Sequence, residues 1–492
     1  MSTITAPETS ISALLESIPR GLIIGGRSRP ASDGATFGVF DPATGLQLAV
    51  VANASVADAG AALDAADAAA EKWANTSPRE RSGVLSRAFA LMVERADDLA
   101  TLIVAENGKA FSDARGEVLY AAEFLRWYAE EAVRIPGSLQ QAPSGSNRIL
   151  VTHRPIGIAV LVTPWNFPAA MATRKIGPAL AAGCTAILKP ASDTPLTALA
   201  IAELLSTAGL PDGVLNVLPS RRSSEVVNRL LTDPRTRKLS FTGSTEVGVE
   251  LLQVAARSVL SVSMELGGNA PFIVFDDSDL DAAVDGAMIA KMRNGGEACT
   301  AANRFYVQRG IAAEFARRLA ERMAALRMGP GAIRSNELGP MVNARARDDI
   351  AALVNGAIEE GATSLIGGTR PTGVGYFYPA TVLVGVPRTA KILAAEIFGP
   401  VAPIVEFETE DEAVALANGT PYGLVSYLYT ADLARGLRVG ERLEAGMVGL
   451  NRGLVSDPAA PFGGLKQSGI GREGGVEGLL EYMESQYIAT SW

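Results

Sequence analysis

Apolar residues recur at helical spacing through most of the first 140 residues, after a short strand-like start. The S-P-R-E motif at 77–80 combines a capping box with proline at the first helical position, so a helix is predicted to begin there. Val84, Ala88 and Met92 continue an apolar stripe behind it, and a second helical period runs through 116–135. These stripes predict helices packed against a core.

After residue 156, short apolar β-branched runs alternate with helical patterns. The predicted strands lie at 158–163, 185–188, 214–218, 239–241, 261–264 and 272–275. The predicted helices between them lie at about 168–182, 195–208, 223–232 and 245–257. Repeated β-α-β units of this kind predict a parallel, doubly wound sheet, in which ligands bind beyond the carboxyl ends of the strands.

A second α/β region is predicted at about 278–460. Its helical patterns and one strand-like run lie at 279–293, 311–326, 343–360 and 401–407. The tail contains another strand-like run, Y-M-E-S-Q-Y-I-A, at 482–489.

The composition narrows the possible chemistry. The chain has 492 residues, enough for two to four domains at roughly 100–200 residues each. A net charge of −9 argues against a nucleic-acid partner, which would need a basic surface. One histidine, His153, and two cysteines, Cys184 and Cys299, argue against a metal site and allow one disulfide at most. Acid–base chemistry must therefore come from carboxylates, lysines or a thiol, unless it uses His153.

The beginning of the chain lacks a basic stretch followed by an apolar one, so no secretory signal is predicted. The longest apolar runs, such as 156–162, are strand-sized and too short to span a membrane. Two cysteines in a chain without a secretory signal favour a reducing compartment. We therefore expect a cytoplasmic protein without a membrane partner.

Five short motifs carry the candidate chemistry. Four follow predicted strands, where a doubly wound sheet binds its ligand: T-P-W-N-F at 163–167, K-P-A-S at 189–192, F-T-G-S at 241–244 and E-L-G-G-N at 265–269. The fifth, G-E-A-C-T at 296–300, places Cys299 34 residues after Glu265. Each motif alone is weak, whereas five in this order are specific.

With these motifs the sequence resembles the aldehyde dehydrogenase superfamily over nearly its whole length. The glutamate and cysteine motifs of that family match 264–271 and 296–300, although Gln is commoner in the family where Glu297 stands. Further matches lie at 164–168, 396–400 and 461–469. Within the superfamily the sequence is most similar to bacterial succinate-semialdehyde dehydrogenases, on the stretches 173–184 and 292–299 and on Ser456 ahead of P-F-G-G.

The resemblance implies an α/β fold with a Rossmann-type doubly wound cofactor domain, a second α/β catalytic domain and a small oligomerisation β-extension. The implied NAD(P)-binding domain comprises 1–137 and 157–265, and the catalytic domain comprises 266–465. Residues 138–156 and 475–492 are assigned to the oligomerisation segment, and a homodimer or homotetramer is expected.

The resemblance also assigns catalytic roles. Cys299 is expected to attack an aldehyde, with its oxyanion held by the Asn166 side-chain amide and the Cys299 backbone N–H. Glu265 is expected to activate water for hydrolysis of the resulting thioester. A cysteine two residues after the nucleophile would permit a redox disulfide, but Ala301 stands there. Cys184 is expected to be a buried packing residue, and His153 a structural residue in a loop.

The expected cofactor is NADP, with NAD possible. The residues matched to dinucleotide-binding positions of the family are Trp165, Asn166, Lys189, Ser192, Gly243, Ser244, Leu266, Glu396 and Phe398. NAD-preferring relatives typically carry Glu where Ser192 stands, and Ser192 removes a charge that would repel a 2′-phosphate. Lys189 adds an attraction, which favours NADP.

The expected substrate is succinate semialdehyde, its distal carboxylate held by Arg174, Arg293 and Ser456. Either arginine could instead form a structural ion pair. Arg452, where the family has glutamate or threonine, could add a cation to the pocket or point outward. The alternatives are a dehydrogenase for glutarate semialdehyde or for a broad range of aldehydes, and an inactive scaffold or binding protein. Glu265 argues against a CoA-acylating enzyme, which does not need a hydrolytic base.

Overall fold

The computed structural model describes residues 11–492. The predicted domain segment 1–137 and the expected lack of a targeting signal both involve residues 1–10, which lie outside the described residues. Within residues 11–492, no helix combines the length and the apolar character that a membrane span requires.

The first described elements are a short helix, two small β-hairpins and a helical layer. Its elements up to residue 141 are α1 (Ile11–Ser17), β1 (Leu22–Ile24), β2 (Arg27–Arg29), β3 (Thr36–Phe40), β4 (Gln47–Ala52), α2 (Val56–Ala74), α3 (Pro78–Glu94), α4 (Ala96–Asn107), α5 (Phe111–Glu131) and β5 (Ser138–Gln141). The predicted capping box is confirmed, because Ser77 Oγ accepts from the Glu80 N–H at 3.3 Å while Glu80 Oε2 accepts from the Ser77 N–H at 3.1 Å.

Strands and helices alternate from residue 148 to residue 265. They are β6 (Arg148–Pro155), β7 (Ile158–Val162), α6 (Pro168–Ala182), β8 (Thr185–Lys189), α7 (Pro195–Thr207), β9 (Leu215–Val217), α8 (Ser223–Leu231), β10 (Thr236–Thr242), α9 (Thr245–Ala256) and β11 (Ser261–Glu265). The predicted β-α-β alternation is confirmed across this region.

The remaining elements form a second α/β region and the tail. They are β12 (Ala270–Val274), α10 (Leu280–Met292), a 3-10 turn (Arg293–Gly296), β13 (Ala302–Gln308), α11 (Arg309–Ala324), α12 (Ala344–Glu359), β14 (Thr363–Ile366), β15 (Thr381–Val384), α13 (Lys391–Ala394), β16 (Val401–Phe407), α14 (Glu410–Asn418), β17 (Tyr422–Gly423), β18 (Val425–Tyr429), α15 (Leu433–Arg442), β19 (Met447–Leu450), β20 (Leu465–Lys466), β21 (Gly469–Ile470), α16 (Gly475–Leu480) and β22 (Met483–Thr490).

The first sheet is doubly wound, as predicted. Its strand order is β2-β1-β9-β8-β7-β10-β11-β21, and the five strands from β9 to β11 run parallel. Successive residues of β7 point to opposite faces, so Ala159 and Leu161 pack in one core while Val160 and Val162 pack in another. In the strand register Val162 lies opposite Lys189 and Thr242 lies opposite Glu265. The carboxyl ends that carry the motifs therefore meet at one edge.

The second sheet has the order β14-β15-β16-β13-β12-β18-β19. The predicted strand 272–275 belongs here, as β12, and not to the first β-α-β series in which the sequence placed it. Only 266–269 separate β11 from β12, whereas a parallel neighbour in the same sheet needs a crossover of a dozen or more residues. The connection therefore carries the chain from one sheet to the other, directly after Glu265.

A third, three-stranded antiparallel sheet has the order β22-β6-β5 and includes the predicted tail strand. The prediction that His153 lies in a loop is wrong, because His153 lies within β6, opposite Ser485 of β22. Polar residues interrupt the apolar run of β6, and its residues are half-buried or exposed. A thin sheet of this kind lacks the continuous apolar pattern that predicts a buried strand.

Candidate active site

Glycines and left-handed backbone shape the loop that carries Cys299. This loop follows α10, and Asn294, Gly295 and Gly296 adopt φ of 54°, 59° and 81°. A Cβ at Gly296 would lie 2.2 Å from the Gly399 carbonyl oxygen, so the close approach of these two segments requires glycine. The turn leaves Cys299 half-buried.

The glycines that follow Glu265 allow that segment to meet the cysteine loop. A Cβ at Gly268 would lie 2.3 Å from the Cys299 carbonyl oxygen. Glu265 is 3% exposed, and neither of its carboxylate oxygens has a hydrogen-bond partner among the described residues. Buried carboxylates normally have a hydrogen-bond partner. A buried carboxylate without one indicates a site for a transient partner, such as substrate or water.

Burial raises the pKa values of both reactive groups. Burial raises the pKa of Glu265 well above 4.5, and the nearby carboxylate of Glu473 raises it further. Burial also raises the pKa of the Cys299 thiol to about 12, against a smaller opposing effect of Arg174. A base must therefore take the Cys299 proton before the sulfur can attack.

Asn166 lies at the loop before α6, and its side-chain amide is buried. Its Nδ2 donates to the Glu297 carbonyl at 3.1 Å, which leaves the second N–H of the amide for another acceptor. Asn166 Oδ1 has no partner within residues 11–492. The Asn166 side chain is thus hydrogen-bonded to the loop that carries Cys299.

Arg174 is not a free cation. Its Nε lies 2.5 Å from Glu473 Oε2, and its guanidinium stacks over Phe462 at 4.2 Å from the ring centroid. Lys175 Nζ lies 2.5 Å from the other Glu473 oxygen. Burial alone would raise the pKa of Glu473, but Lys175 and Arg174 hold it below its usual value. The structural ion pair that the sequence left open for Arg174 is therefore present.

Arg293 lies close to Ser456, as the sequence predicted. Arg293 Nη1 is 3.5 Å from Ser456 Oγ, and the guanidinium is 4.9 Å from the Phe167 ring centroid. Both side chains are half-buried, and within residues 11–492 no salt bridge to an Asp or Glu forms at Arg293. The Tyr120 hydroxyl lies in hydrogen-bonding reach of both Arg174 and Ser456. Arg452 is exposed and lies beside Tyr429.

The N-terminus of α9 faces outward at the carboxyl edge of the first sheet. Ser244 caps the helix by accepting from the Val247 N–H at 3.4 Å and is itself exposed, while Gly243 precedes it without a side chain. A Cβ at Gly243 would lie 2.4 Å from the Phe241 ring. Leu266 is buried against Gly248, where a Cβ would come within 2.4 Å of its side chain. An open helix N-terminus with a glycine approach suits a pyrophosphate.

Lys189 and Ser192 lie at the end of β8 and in the loop after it. Burial lowers the pKa of Lys189 to about 8, while Asp193 raises it. Ser192 is half-buried. The sequence reasoning did not consider Asp193, a carboxylate that partly offsets the attraction of Lys189 for a phosphate.

Glu396 and Phe398 lie in the loop before β16 and contact residues that follow strands of the first sheet. Glu396 Oε1 accepts from the Gly268 N–H at 3.0 Å, and burial raises the pKa of Glu396 to about 7. Phe398 has φ of 54° and packs edge-on against Trp165, with ring centroids 5.4 Å apart. These contacts bring the segment before β16 next to the loops after β7 and β11 and to the N-terminus of α9, and the residues gathered there fit a dinucleotide.

Sequence reasoning missed three residues of the site: Tyr120, Lys175 and Glu473. Tyr120 belongs to a helical stripe that was assigned to core packing, and Lys175 follows Arg174 in a motif of which only Arg174 was used. Glu473 lies 299 residues beyond Arg174, so no local pattern joins them. The available signal was a second cation, Lys175, next to Arg174 in the mostly apolar helix 168–182.

Comparison with known proteins agrees with this geometry. The aldehyde dehydrogenase family model matches residues 29–488. A succinate-semialdehyde dehydrogenase of Paenarthrobacter nicotinovorans is 57% identical over 441 residues, 90% of this chain and 98% of that protein. A probable NADP(+) succinate-semialdehyde dehydrogenase of Sinorhizobium fredii is 49% identical over 452 residues, 92% of each protein.

The solved structure of succinate-semialdehyde dehydrogenase from Burkholderia pseudomallei matches with a TM-score of 0.95 at 43% identity, over 100% of both chains. The resemblance inferred from the motifs, and the fold class that it implies, are thereby confirmed. Residues 29–488 span more than nine-tenths of the sequence and include every predicted site residue. The chain therefore belongs to the aldehyde dehydrogenase family.

Proposed function

We propose that this protein oxidises succinate semialdehyde to succinate with NAD(P) as cofactor, through a thioester on Cys299. The observation that carries the proposal is a site in which two groups of side chains lie near each other, since both Glu265 and Arg293 act electrostatically on Cys299. At one end of this site Cys299 lies near the carboxyl of Glu265, which has no hydrogen-bond partner within residues 11–492, and at the other end Arg293 lies near Ser456. Similarity to proteins named succinate-semialdehyde dehydrogenase supports the same substrate.

At the reacting end, Glu265 takes the proton of the Cys299 thiol, and the thiolate attacks the aldehyde carbon. Only the ionised carboxylate of Glu265 accepts this proton, and its raised pKa makes that carboxylate a stronger base. The resulting oxyanion accepts hydrogen bonds from the free Asn166 side-chain N–H and the Cys299 backbone N–H. After oxidation to the thioester, Glu265 releases the thiol proton to solvent, and its carboxylate, ionised again, removes a proton from the water that hydrolyses the thioester.

The dinucleotide supplies the hydride acceptor when it is bound. Gly243 and Ser244 would hold its pyrophosphate, and Glu396 with Phe398 would contact the nicotinamide end. At the ribose end, Lys189 and Ser192 favour NADP, because a 2′-phosphate meets a cation and no glutamate. Asp193 makes this preference smaller than Lys189 alone would give.

At the anionic end, Arg293 and Ser456 bind the distal carboxylate, and the Tyr120 hydroxyl joins them. Arg174, whose Nε is already paired with Glu473, contributes positive electrostatic potential to the same end of the site. The distance between the two ends of the pocket would set the preferred chain length, so glutarate semialdehyde is the closest alternative substrate.

The proposal includes the domain division and the assembly. Residues 1–137 and 157–265 form the cofactor domain, 266–465 the catalytic domain, and 138–156 with 475–492 the oligomerisation segment. Strand β22 lies at the edge of the third sheet and exposes Tyr487 and Ile488, which supports pairing with another subunit. Light scattering should give a dimer or tetramer of the 51.2 kDa chain in a reducing, cytoplasm-like buffer, and a monomer would contradict the assignment.

The test is an oxidation assay with the purified protein, followed by the absorbance of the reduced cofactor. Succinate semialdehyde, glutarate semialdehyde and butanal are each offered with NADP and with NAD. The proposal expects the highest kcat/KM with succinate semialdehyde and no dependence on added CoA. An equal kcat/KM for butanal would contradict a preference for an anionic substrate. No turnover of any aldehyde would refute the proposed enzyme function.

A further inference from the structure

Three charged residues around the start of α5 follow one another at four-residue intervals: Lys109, Asp113 and Glu117. Each of them contacts a segment that carries a proposed catalytic residue, although none touches the reacting atoms. Lys109 and Glu117 are each only 3% exposed. Moving such charges from water into the protein interior costs free energy, so each buried charge needs well-placed partners.

Lys109 holds the backbone of Asn166. Its Nζ donates to the Asn166 carbonyl oxygen at 2.6 Å and to Glu117 Oε2 at 2.5 Å. The other Glu117 oxygen accepts from the Ala169 and Ala170 N–H groups at 2.8 and 3.2 Å. One ion pair therefore fixes both the Asn166 peptide and the first turn of α6 that follows it.

The same carbonyl is also tied to the cysteine loop. Asn294 Nδ2 donates to the Asn166 carbonyl oxygen and to the Glu297 carbonyl oxygen, both at 2.9 Å. The Asn294 backbone N–H donates to Asp113 Oδ2 at 3.0 Å. The start of α5 is thus in contact with both segments, whereas within residues 11–492 the hydrogen bonds of the Lys109 ammonium group go to the Asn166 carbonyl and to Glu117.

We propose that Lys109 is a positioning residue for the oxyanion hole: its ammonium group, paired with Glu117, orients the Asn166 peptide so that the free side-chain N–H points at the carbonyl oxygen attacked by Cys299. This inference rests on the proposed function, in which Asn166 is the oxyanion donor. An oxyanion donor acts only within about 2.7–3.1 Å of the oxygen, so a small rotation of the Asn166 peptide is enough to lose the bond.

Two reactions of Cys299 separate this role from general support of the site. Acylation by p-nitrophenyl acetate passes through a tetrahedral oxyanion, whereas alkylation by iodoacetamide displaces iodide from carbon and forms none. The variants are Lys109→Met and the double variant Lys109→Met with Glu117→Gln, in which no unpaired carboxylate is left buried. Glu117→Gln alone is the matched control, because it leaves the ammonium group on the Asn166 carbonyl.

The single-turnover acylation rate should fall about ten- to hundred-fold in both Lys109 variants and by less in Glu117→Gln. The alkylation rate of Cys299 should stay within about two-fold of wild type in all three, because it has no oxyanion to stabilise. Equal losses in both reactions would overturn the proposal and make Lys109 a support of the whole cysteine loop. Unchanged acylation in the double variant would overturn it as well.

Neither reaction uses an aldehyde or a dinucleotide. A wild-type protein that acylates and alkylates normally but oxidises no aldehyde would refute the proposed function and leave the Lys109 result valid. Thermal melts of each variant confirm that the rates are compared between folded proteins.

Discussion

The two cysteines lie in two different kinds of protein interior. Cys184 is 1% exposed at the start of β8, and its thiol donates to the Tyr482 carbonyl at 3.3 Å. Cys299 lies in a strained loop beside a carboxyl and an amide oxygen without partners in residues 11–492. Burial raises the pKa of both thiols, to about 11 for Cys184 and about 12 for Cys299.

Thiol acidity therefore does not distinguish the reactive cysteine from the packing one. The difference lies in exposure and in the neighbours. Cys299 is half-buried and lies near the carboxyl of Glu265 and the side-chain amide of Asn166, whose oxygens have no hydrogen-bond partner within residues 11–492. Cys184 is buried, makes a hydrogen bond and packs against apolar side chains. Effects of substitution should be largest at Cys299 and should diminish with distance from it along the pocket and the cofactor groove.

The largest effect is expected from the cysteines themselves. Cys299→Ala should abolish aldehyde oxidation, because no other group near Glu265 can form the thioester. Cys184→Ala should keep turnover near wild type, because it removes one buried sulfur far from the pocket. Steady-state assays and mass spectrometry after iodoacetamide treatment measure both. Inactivation that follows labelling of Cys184 would reverse the two assignments.

Glu265→Gln should lower steady turnover by roughly two to four decades, the usual range for a general base. Glu265 accepts protons only when ionised, so the wild-type rate should rise with pH. Because the pKa of Glu265 is raised well above 4.5, this rise should occur at correspondingly higher pH. The Gln variant should lack it. Undiminished turnover in that variant would assign the base to another residue.

Several features of the fold and of the site could be predicted from the sequence. Helix α6 was predicted at its observed bounds, because Pro168 begins it and Gly183, with φ of 98°, ends it. The motifs after β7, β8, β10 and β11 were assigned to one edge, because parallel strands end together. These features depend on short-range chemistry, which a single sequence displays.

The features that the sequence could not predict depend on long-range contacts. The partner of Arg174 Nε is Glu473, far along the chain, and this is the structural ion pair that the sequence left as an alternative. Strand β12 belongs to the second sheet, because the chain between β11 and β12 is too short for a crossover within the first sheet. His153 lies in a three-stranded sheet whose other strands are 138–141 and 483–490. Periodicity within one segment contains no information about such partners.

An intermediate effect is expected at the anionic end. Arg293→Ala should lower kcat/KM for succinate semialdehyde about ten- to hundred-fold, since a lost charge-assisted bond costs about 1.5–3 kcal/mol. Butanal, which has no carboxylate, should lose much less. The ratio of kcat/KM for the two aldehydes is the measurement. Equal losses on both would show that Arg293 serves the cysteine loop, in which it lies, and not the substrate.

The smallest effect is expected at the ribose end of the cofactor groove. Ser192→Glu should lower the preference for NADP over NAD by about ten-fold or more, because like charges about 4 Å apart at a partly exposed site cost on the order of a few kcal/mol. The introduced carboxylate also offers an acceptor to the free ribose hydroxyls of NAD. Ser192→Gln is the matched control, since it adds the same bulk without the charge and should change the preference less.

The pH dependence of this preference gives an independent measurement of Lys189. Its pKa is lowered to about 8, so the amine is charged below that pH and attracts the 2′-phosphate only there. The kcat/KM for NADP should therefore fall as pH rises through about 8, while that for NAD, which has no 2′-phosphate, should not share the decrease. A parallel response of the two cofactors, together with an unchanged preference in Ser192→Glu, would place ribose recognition on residues other than Lys189 and Ser192.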